Sequence, residues 1–224
     1  MEWRVEHRPS YSILKVKLNP GERVYAEPGA MVYMSSGVQV ETKAHGGIVK
    51  SLLRTALAGE SFFINTYYAR EPGEAWFAPS LPGDISYVEL KGDKGLVIQD
   101  TSYIAHHGDV NLTTAWRGLR GLIAEGELVW LKAEGKGGVW ISSYGAIEEV
   151  NLKPGEKVLV DNFHFVAMDD GIKWDVKAFG GVKSFILGGE GFVVEVTGPG
   201  RLYVQTRSLS PLIEVISKYL GRRK

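Results

Sequence analysis

The chain contains a long stretch that occurs twice. LNPGERVYAEPGAMVYMSSGVQVETKAHGG (18–47) aligns without a gap with LKPGEKVLVDNFHFVAMDDGIKWDVKAFGG (152–181), at a constant shift of 134 positions. The identical positions are mainly apolar residues and turn formers, such as the Pro-Gly pairs at 20–21 and 154–155. Internal repetition of this kind indicates supersecondary units that bury their apolar faces only against one another. It therefore constrains the fold more than any other feature of the chain.

The repetition continues beyond this stretch and includes a fainter third copy. GESFFINTYYAREPGEAWFA (59–78) parallels GEGFVVEVTGPGRLYVQ (189–205), while DTSYIAHHGDVNL (100–112) and GELVWLKAEGKGGVWIS (126–142) hold the corresponding places in the middle. We therefore predict one pseudo-threefold β domain over residues 1–224, made of three units of roughly 70 residues. The predicted first, second and third units span about 1–83, 84–145 and 146–207, and a C-terminal helix follows at 208–220.

Period-two alternation predicts that the units are made of strands. It is clear in SILKVKL (12–18) and GVQVETK (37–43), which are bounded by turn residues. Two segments are helical by pattern instead. IVKSLLRTAL (48–57) places Ile48, Leu52, Leu53 and Leu57 on one face, and SLSPLIEVISKYLGRRK follows Ser210 as a cap and Pro211 at the first helical position. TTAWRGLRGLI (113–123) resembles a shorter helix of the middle unit.

Composition excludes several classes of function. The 26 basic and 26 acidic residues give a formal net charge of zero, so we expect no nucleic-acid partner. The chain has no cysteine, which excludes disulfides and thiolate metal sites. No signal-peptide pattern and no apolar stretch near the roughly 18 residues of a membrane span occur. These features predict a cytoplasmic protein without a membrane span.

No motif predicts a catalytic, cofactor or metal site. In GGIVKS (46–51) and GGVKS (180–184), valine stands where a phosphate-binding P-loop requires glycine. His106 and His107 lie near Asp100 and Asp109, but neighbouring residues of a strand point to opposite faces and cannot easily bind one ion. A nucleophile elbow is absent. The duplicated carboxylates, such as those at 22 and 156, fit hydrogen bonds to turn N–H groups rather than acid–base catalysis.

Three blocks resemble a known family. They are EPGAMVYMSSGV (27–38), GG…LLRTALAGESFFINTY (46–67) and GEGFVVEVTGPGRLYVQTRS (189–208), and together they look like the bacterial and archaeal family related to the fungal altered-inheritance-of-mitochondria protein. The resemblance implies an all-β fold similar to the tryptophan RNA-binding attenuator protein: a shortened double-stranded β-helix or β-sandwich unit, repeated three times. It implies no established enzymatic activity and no catalytic residues. The metal-binding histidine and glutamate set of the cupins does not occur.

Three hypotheses about function follow. The first is a non-enzymatic β scaffold or binding protein that forms a homo-oligomer, with the apolar segments 48–57 and 208–220 as contact elements. The second is a small-molecule-binding or catalytic protein with a pocket between units near the double-glycine loop, where His45, Lys50 and Arg54 are the candidate contacts. The third, RNA binding, rests on analogy of fold alone.

Overall fold

The computed structural model describes residues 1–44, 63–118, 128–178 and 192–220, and most of them lie in β-strands. A 3-10 turn occurs at Asp100–Ser102, and helix α1 spans Leu209–Leu220. The strands are β1 (Glu2–Glu6), β2 (Ile13–Leu18), β3 (Arg23–Ala26), β4 (Met31–Met34), β5 (Val38–Ala44), β6 (Phe63–Ala69), β7 (Gly73–Phe77), β8 (Ile85–Lys91), β9 (Leu96–Gln99), β10 (Tyr103–Gly118), β11 (Leu128–Ser142), β12 (Ile147–Leu152), β13 (Lys157–Asp161), β14 (Phe165–Asp169), β15 (Lys173–Ala178), β16 (Phe192–Thr197) and β17 (Gly200–Gln205).

These strands form antiparallel sheets, as the predicted all-β class requires. One sheet has the order β1-β2-β7-β4, and another has the order β13-β16-β15. The largest sheet runs β12-β17-β14-β9-β11-β10-β3-β6-β5, with β8 paired to β11. Strands from all three predicted units therefore share one continuous sheet.

The same irregular pairing occurs once in each predicted unit. β4 pairs with β7, the start of β10 with the end of β11, and β14 with β17, each with a bulge at its second residue. The residues that flank the bulge are Met31 and Tyr33, Tyr103 and Ala105, and Phe165 and Ala167. We call residues at matching places in this pairing equivalent; Val32, Ile104 and Val166 are one such set.

The predicted Pro-Gly turns are confirmed, and so is the structural use of their carboxylates. Gly21 and Gly155 have φ angles of 86° and 77°, which glycine adopts without steric cost. Glu22 accepts a hydrogen bond from the backbone N–H of Asn19 at 2.7 Å, and Glu156 accepts the corresponding bond from Lys153 at 2.8 Å. Each carboxylate therefore closes its own turn.

The core lies between the sheets in three clusters, and each cluster includes residues from a neighbouring unit. Trp140 of β11 belongs to the cluster formed mainly by β2, β3 and β7, while Trp130 belongs to the cluster formed mainly by β14, β16 and β17. Both indoles are buried. The predicted units consequently share their hydrophobic core clusters, and among the described residues none of the units has a core of its own residues alone.

The helix predictions have mixed outcomes. The segment 48–57 lies outside the described residues. α1 begins at Leu209, so the prediction that Ser210 caps it is wrong, and Pro211 lies in the first turn, where its missing N–H costs no hydrogen bond. The helical interpretation of 113–123 is wrong for 113–118, which continues β10; Thr113 and Trp116 pair with β11, in line with the strand preference of these residue types.

Candidate functional site

Strand β4 presents apolar side chains to solvent at the edge of its sheet. Met31, Val32 and Tyr33 are 43%, 55% and 46% exposed. Their equivalents Tyr103, Ile104 and Ala105 in β10 and Phe165, Val166 and Ala167 in β14 are all fully buried. The difference arises because β10 and β14 are also paired with β3 and β9, whereas β4 pairs only with β7 among the described strands. β4 is thus uncovered, whereas its equivalents β10 and β14 are each covered by a further strand.

Strand β13 is a second uncovered edge, and it belongs to the sheet β13-β16-β15. Leu159 on β13 is 56% exposed, whereas Ile98, which precedes Asp100 as Leu159 precedes Asp161, is fully buried. Val150 of the neighbouring β12 is 36% exposed, although Val16 and Val88 at the matching positions of β2 and β8 are buried. A groove of about 380 Å³ opens between β12, β13 and β17 beside these side chains.

Polar groups collect where β3 meets β10. The backbone N–H of Glu27 donates to the carbonyl of Ile104 at 2.9 Å. The hydroxyl of Tyr103 lies 2.7 Å from Nδ1 of His106, and the imidazole of His106 stacks on Tyr25 with 4.7 Å between ring centroids. Tyr103 and His106 are both buried. These contacts hold β10 against β3.

Two carboxyl groups at this junction have raised pKa values. Burial, with a smaller contribution from the charge of Asp100, raises the pKa of Glu27 to about 7. Burial also raises the pKa of Asp100. Asp161, which aligns with Glu27, accepts a hydrogen bond from the N–H of Phe163 at 2.8 Å. Glu27 lies where β3 meets a strand of the neighbouring unit, and that unit contributes Asp100 to its surroundings.

The Glu27→Gln variant should remove a pH dependence of stability. The folded-state pKa is raised above the ordinary 4.5, so the contribution of Glu27 is fully present below pH 4.5 and is lost as the pH rises through about 7. By linkage, the free energy of unfolding of the wild type should fall over that range by on the order of 3 kcal/mol, and the neutral amide should not share this fall.

Urea unfolding from pH 4 to pH 8 measures this effect. The advantage of Glu27→Gln over the wild type should grow with pH. Glu71→Gln, which alters an exposed carboxylate, is the matched control and should track the wild type. A constant offset between Glu27→Gln and the wild type across the whole range would contradict the assignment.

The adjacent residues His106 and His107 contact different neighbours. His107 contacts Tyr87, whose hydroxyl lies 3.1 Å from Nε2 of His107, and it packs against Trp140. His106 faces Tyr25 and Tyr103 instead. Burial lowers the pKa of His107. Within the described ranges, no group of three or more histidine, aspartate or glutamate side chains could hold a metal ion.

The residues chosen from the sequence as candidate contacts, His45, Lys50 and Arg54, lie outside the described residues, as do both double-glycine loops. The features that sequence reasoning missed are the exposure of β4, the exposure of β13 and the Glu27–Asp100 pair. Alignment of all three units could have placed Glu27, Asp100 and Asp161 at one repeated position. It could not have shown which copies of a repeated strand are covered by another strand.

The helical part of the described chain offers no membrane-crossing element: α1 is too short, and no other described helix is long and apolar enough. α1 instead leaves its apolar stripe uncovered. The exposed side chains on it include Ile213, Ile216, Tyr219 and Leu220. The predicted role of residues 208–220 as a contact element stays a prediction.

Comparisons with known proteins agree with the resemblance of the sequence blocks. The family model described as "Mitochondrial biogenesis AIM24" matches residues 3–207. An uncharacterised protein of Streptococcus pyogenes serotype M6 is 27% identical over 228 residues, covering 98% of this chain and 91% of that protein. An X-ray crystal structure of a Streptococcus pyogenes protein superposes with a TM-score of 0.80 and 28% identity, covering 97% of this chain and 99% of that one.

Proposed function

Because this chain belongs to the mitochondrial biogenesis AIM24 family, we propose that it is a non-enzymatic β scaffold that self-associates through exposed strand edges. The observation that carries the proposal is the exposure of Met31, Val32 and Tyr33 on β4. An edge strand with unpaired backbone groups and apolar side chains is a template for pairing with another chain. Natural proteins protect such edges with charge, proline or a covering element, and β4 carries neither charge nor proline.

The scaffold we propose consists of three repeated units of the shortened double-stranded β-helix type, similar to those of the tryptophan RNA-binding attenuator protein. The recurrence of one bulged pairing in β4–β7, β10–β11 and β14–β17 supports this architecture. So does the matched turn chemistry of Glu22 and Glu156. Units of this kind present similar surfaces in succession, and each covers part of the next.

Sedimentation velocity at micromolar concentration tests the proposal. We expect the wild type to sediment as two or more copies. Val32→Lys places an ammonium group at the centre of β4 and should raise the dissociation constant at least about tenfold, because burial of an unpaired charge opposes the contact. Tyr11→Lys introduces the same charge at a 75% exposed loop position and should leave the association unchanged. A wild type that stays monomeric would overturn the proposal.

The pocket hypothesis and the RNA-binding hypothesis remain predictions. A pocket near the double-glycine loop would use His45, Lys50 and Arg54, and RNA binding would rest on the fold analogy. The cytoplasmic location is likewise a prediction from composition.

A further inference from the structure

The uncovered edges of β4 and β13 correspond to the two halves of a junction that the chain makes twice within itself. Resting on the proposed self-association, we infer that the partner of β4 is β13 of a second copy, so that copies join head to tail. The partner is therefore another molecule of this chain, and the contact is between two different surfaces of it.

The internal junctions define the pattern. At the first, β3 pairs antiparallel with the start of β10, with Ala26 opposite Ala105 and Tyr25 opposite His106. At the second, β9 pairs antiparallel with β14, with Ile98 opposite Ala167 and Val97 opposite Met168. In each case the strand that comes just before the bulged strand of one unit covers the bulged strand of the next. Continuing the series, β13 of the last unit would cover the bulged strand of a following unit.

The described residues contain no fourth unit that could follow, and they contain no pairing between β13 and β4. Both strands are consequently exposed in the single chain. Among the described strands, β4 lacks a covering strand from a preceding unit, and β13 lacks the bulged strand of a following unit. A second copy supplies both missing elements at once, because its β4 is the bulged strand that β13 requires.

The surfaces match in chemistry as well as in position. On the β13 side, the groove is lined mainly by the apolar side chains of Val150, Val158, Leu159, Val160, Leu202 and Val204, with three polar residues beside them. On the β4 side, the sequence from Met31 to Met34 is entirely apolar or aromatic. The first internal junction places Leu159 opposite Met34 of the partner copy, and the second places it opposite Tyr33. Either register covers the exposed part of Leu159.

Electrostatics permits the contact between copies. Lys157, at the start of β13, lies 3.7 Å from Glu195, a carboxylate that it shares with Lys177 of the same chain. β4 carries no charged residue that could repel Lys157. The formal net charge of zero means that copies do not repel one another over long range. A contact between different surfaces leaves one free β4 and one free β13 after each addition, so it produces a closed ring or an open series of copies rather than a two-fold dimer.

Two variants that each block one end distinguish this arrangement from other modes of association. Val32→Lys blocks β4 and leaves β13 intact, whereas Leu159→Lys blocks β13 and leaves β4 intact. Each variant alone should be monomeric, with the dissociation constant raised at least about tenfold, since one end of every contact is lost. Mixed at equal concentration, the two should form a 1:1 dimer that grows no further. Native mass spectrometry and sedimentation velocity measure these species.

The outcomes separate the inference from the proposal on which it rests. If Leu159→Lys associates like the wild type while Val32→Lys does not, β4 binds β4, and self-association survives while the head-to-tail arrangement fails. If both variants are monomeric and the mixture stays monomeric, the head-to-tail arrangement fails as well. If the wild type itself is monomeric, both fail.

A second measurement does not depend on lysine variants folding well. The chain has no cysteine, so single cysteines can be introduced without competing thiols. Oxidation of a mixture of Tyr33→Cys and Leu159→Cys should give a disulfide-linked dimer on a non-reducing gel. Tyr11→Cys mixed with Leu159→Cys is the control and should give none. Cross-linking of Tyr33→Cys with itself, and none with Leu159→Cys, would overturn the head-to-tail contact.

Discussion

The Gly137→Ala variant is expected to lose about 3 to 5 kcal/mol of unfolding free energy, because the new methyl group has no room. Gly137 has a φ angle of 156°, and a Cβ there would overlap the carbonyl oxygen of His107 and lie 3.0 Å from the Cα of Gly108. Strand β11 is paired on both sides at this point, with Gly108 of β10 and Leu90 of β8. Neither neighbour can move away without breaking its own ladder.

Gly21→Ala is the matched control for Gly137→Ala. Gly21 also has a positive φ, 86°, but nothing lies within 4 Å of the position that its new methyl group would occupy. The cost there should be the conformational strain alone, about 1 to 2 kcal/mol. Urea unfolding of both variants in the Val32→Lys background, where association should not add to stability, measures the difference. Equal losses for the two variants would show that steric overlap at Gly137 is not the cause.

The Trp130→Ala variant is expected to lose about 3 to 5 kcal/mol and to weaken the cooperativity of unfolding. Trp130 is buried. Its ring stacks on that of Phe165 with 4.4 Å between centroids, and its ring centroid lies 4.5 Å from that of Trp174. Trp130 belongs to the second predicted unit, while Phe165 and Trp174 belong to the third. Its removal therefore creates a cavity at the contact between units rather than within one of them.

The denaturant dependence of Trp130→Ala distinguishes a loss of coupling from a simple loss of stability. A reduced m-value, with non-coincident transitions by circular dichroism and by fluorescence, indicates that the third unit unfolds separately. Trp76→Ala is the control, since Trp76 is only half-buried, against Tyr33 and Lys15, and it should cost less without splitting the transition. A single transition with an unchanged m-value for Trp130→Ala would mean that the units do not depend on this contact.

Much of the local structure was accessible from the sequence. The Pro-Gly turns and the strands on either side of them follow from turn chemistry and period-two alternation. The segment 113–118 was mistaken for helix because 113–123 looked like the middle unit's counterpart of the other predicted helices, while its strand structure depends on pairing with β11. The local sequence pattern of a segment does not show which other strand it will pair with.

The candidate contact surfaces were not accessible in the same way. Met31–Met34 and Phe165–Asp169 have similar apolar patterns, yet one strand is exposed and the other is buried. Likewise, Glu27 and Asp161 occupy matching positions, but Glu27 lies at the junction with β10, where burial raises its pKa to about 7, whereas Asp161 accepts a hydrogen bond from the N–H of Phe163. These differences come from position in the series of units, which no window of sequence contains.

By itself, the sequence determined that the chain is built from strands, that its turns recur and that its family is the one the comparisons support. It could do so because turn geometry and side-chain alternation are local properties of the backbone. Only the tertiary structure decided which copies of a repeated strand are covered and which are left at the ends. Burial depends on what lies beside a strand in space, and no described strand pairs with the outer edge of β4 or of β13.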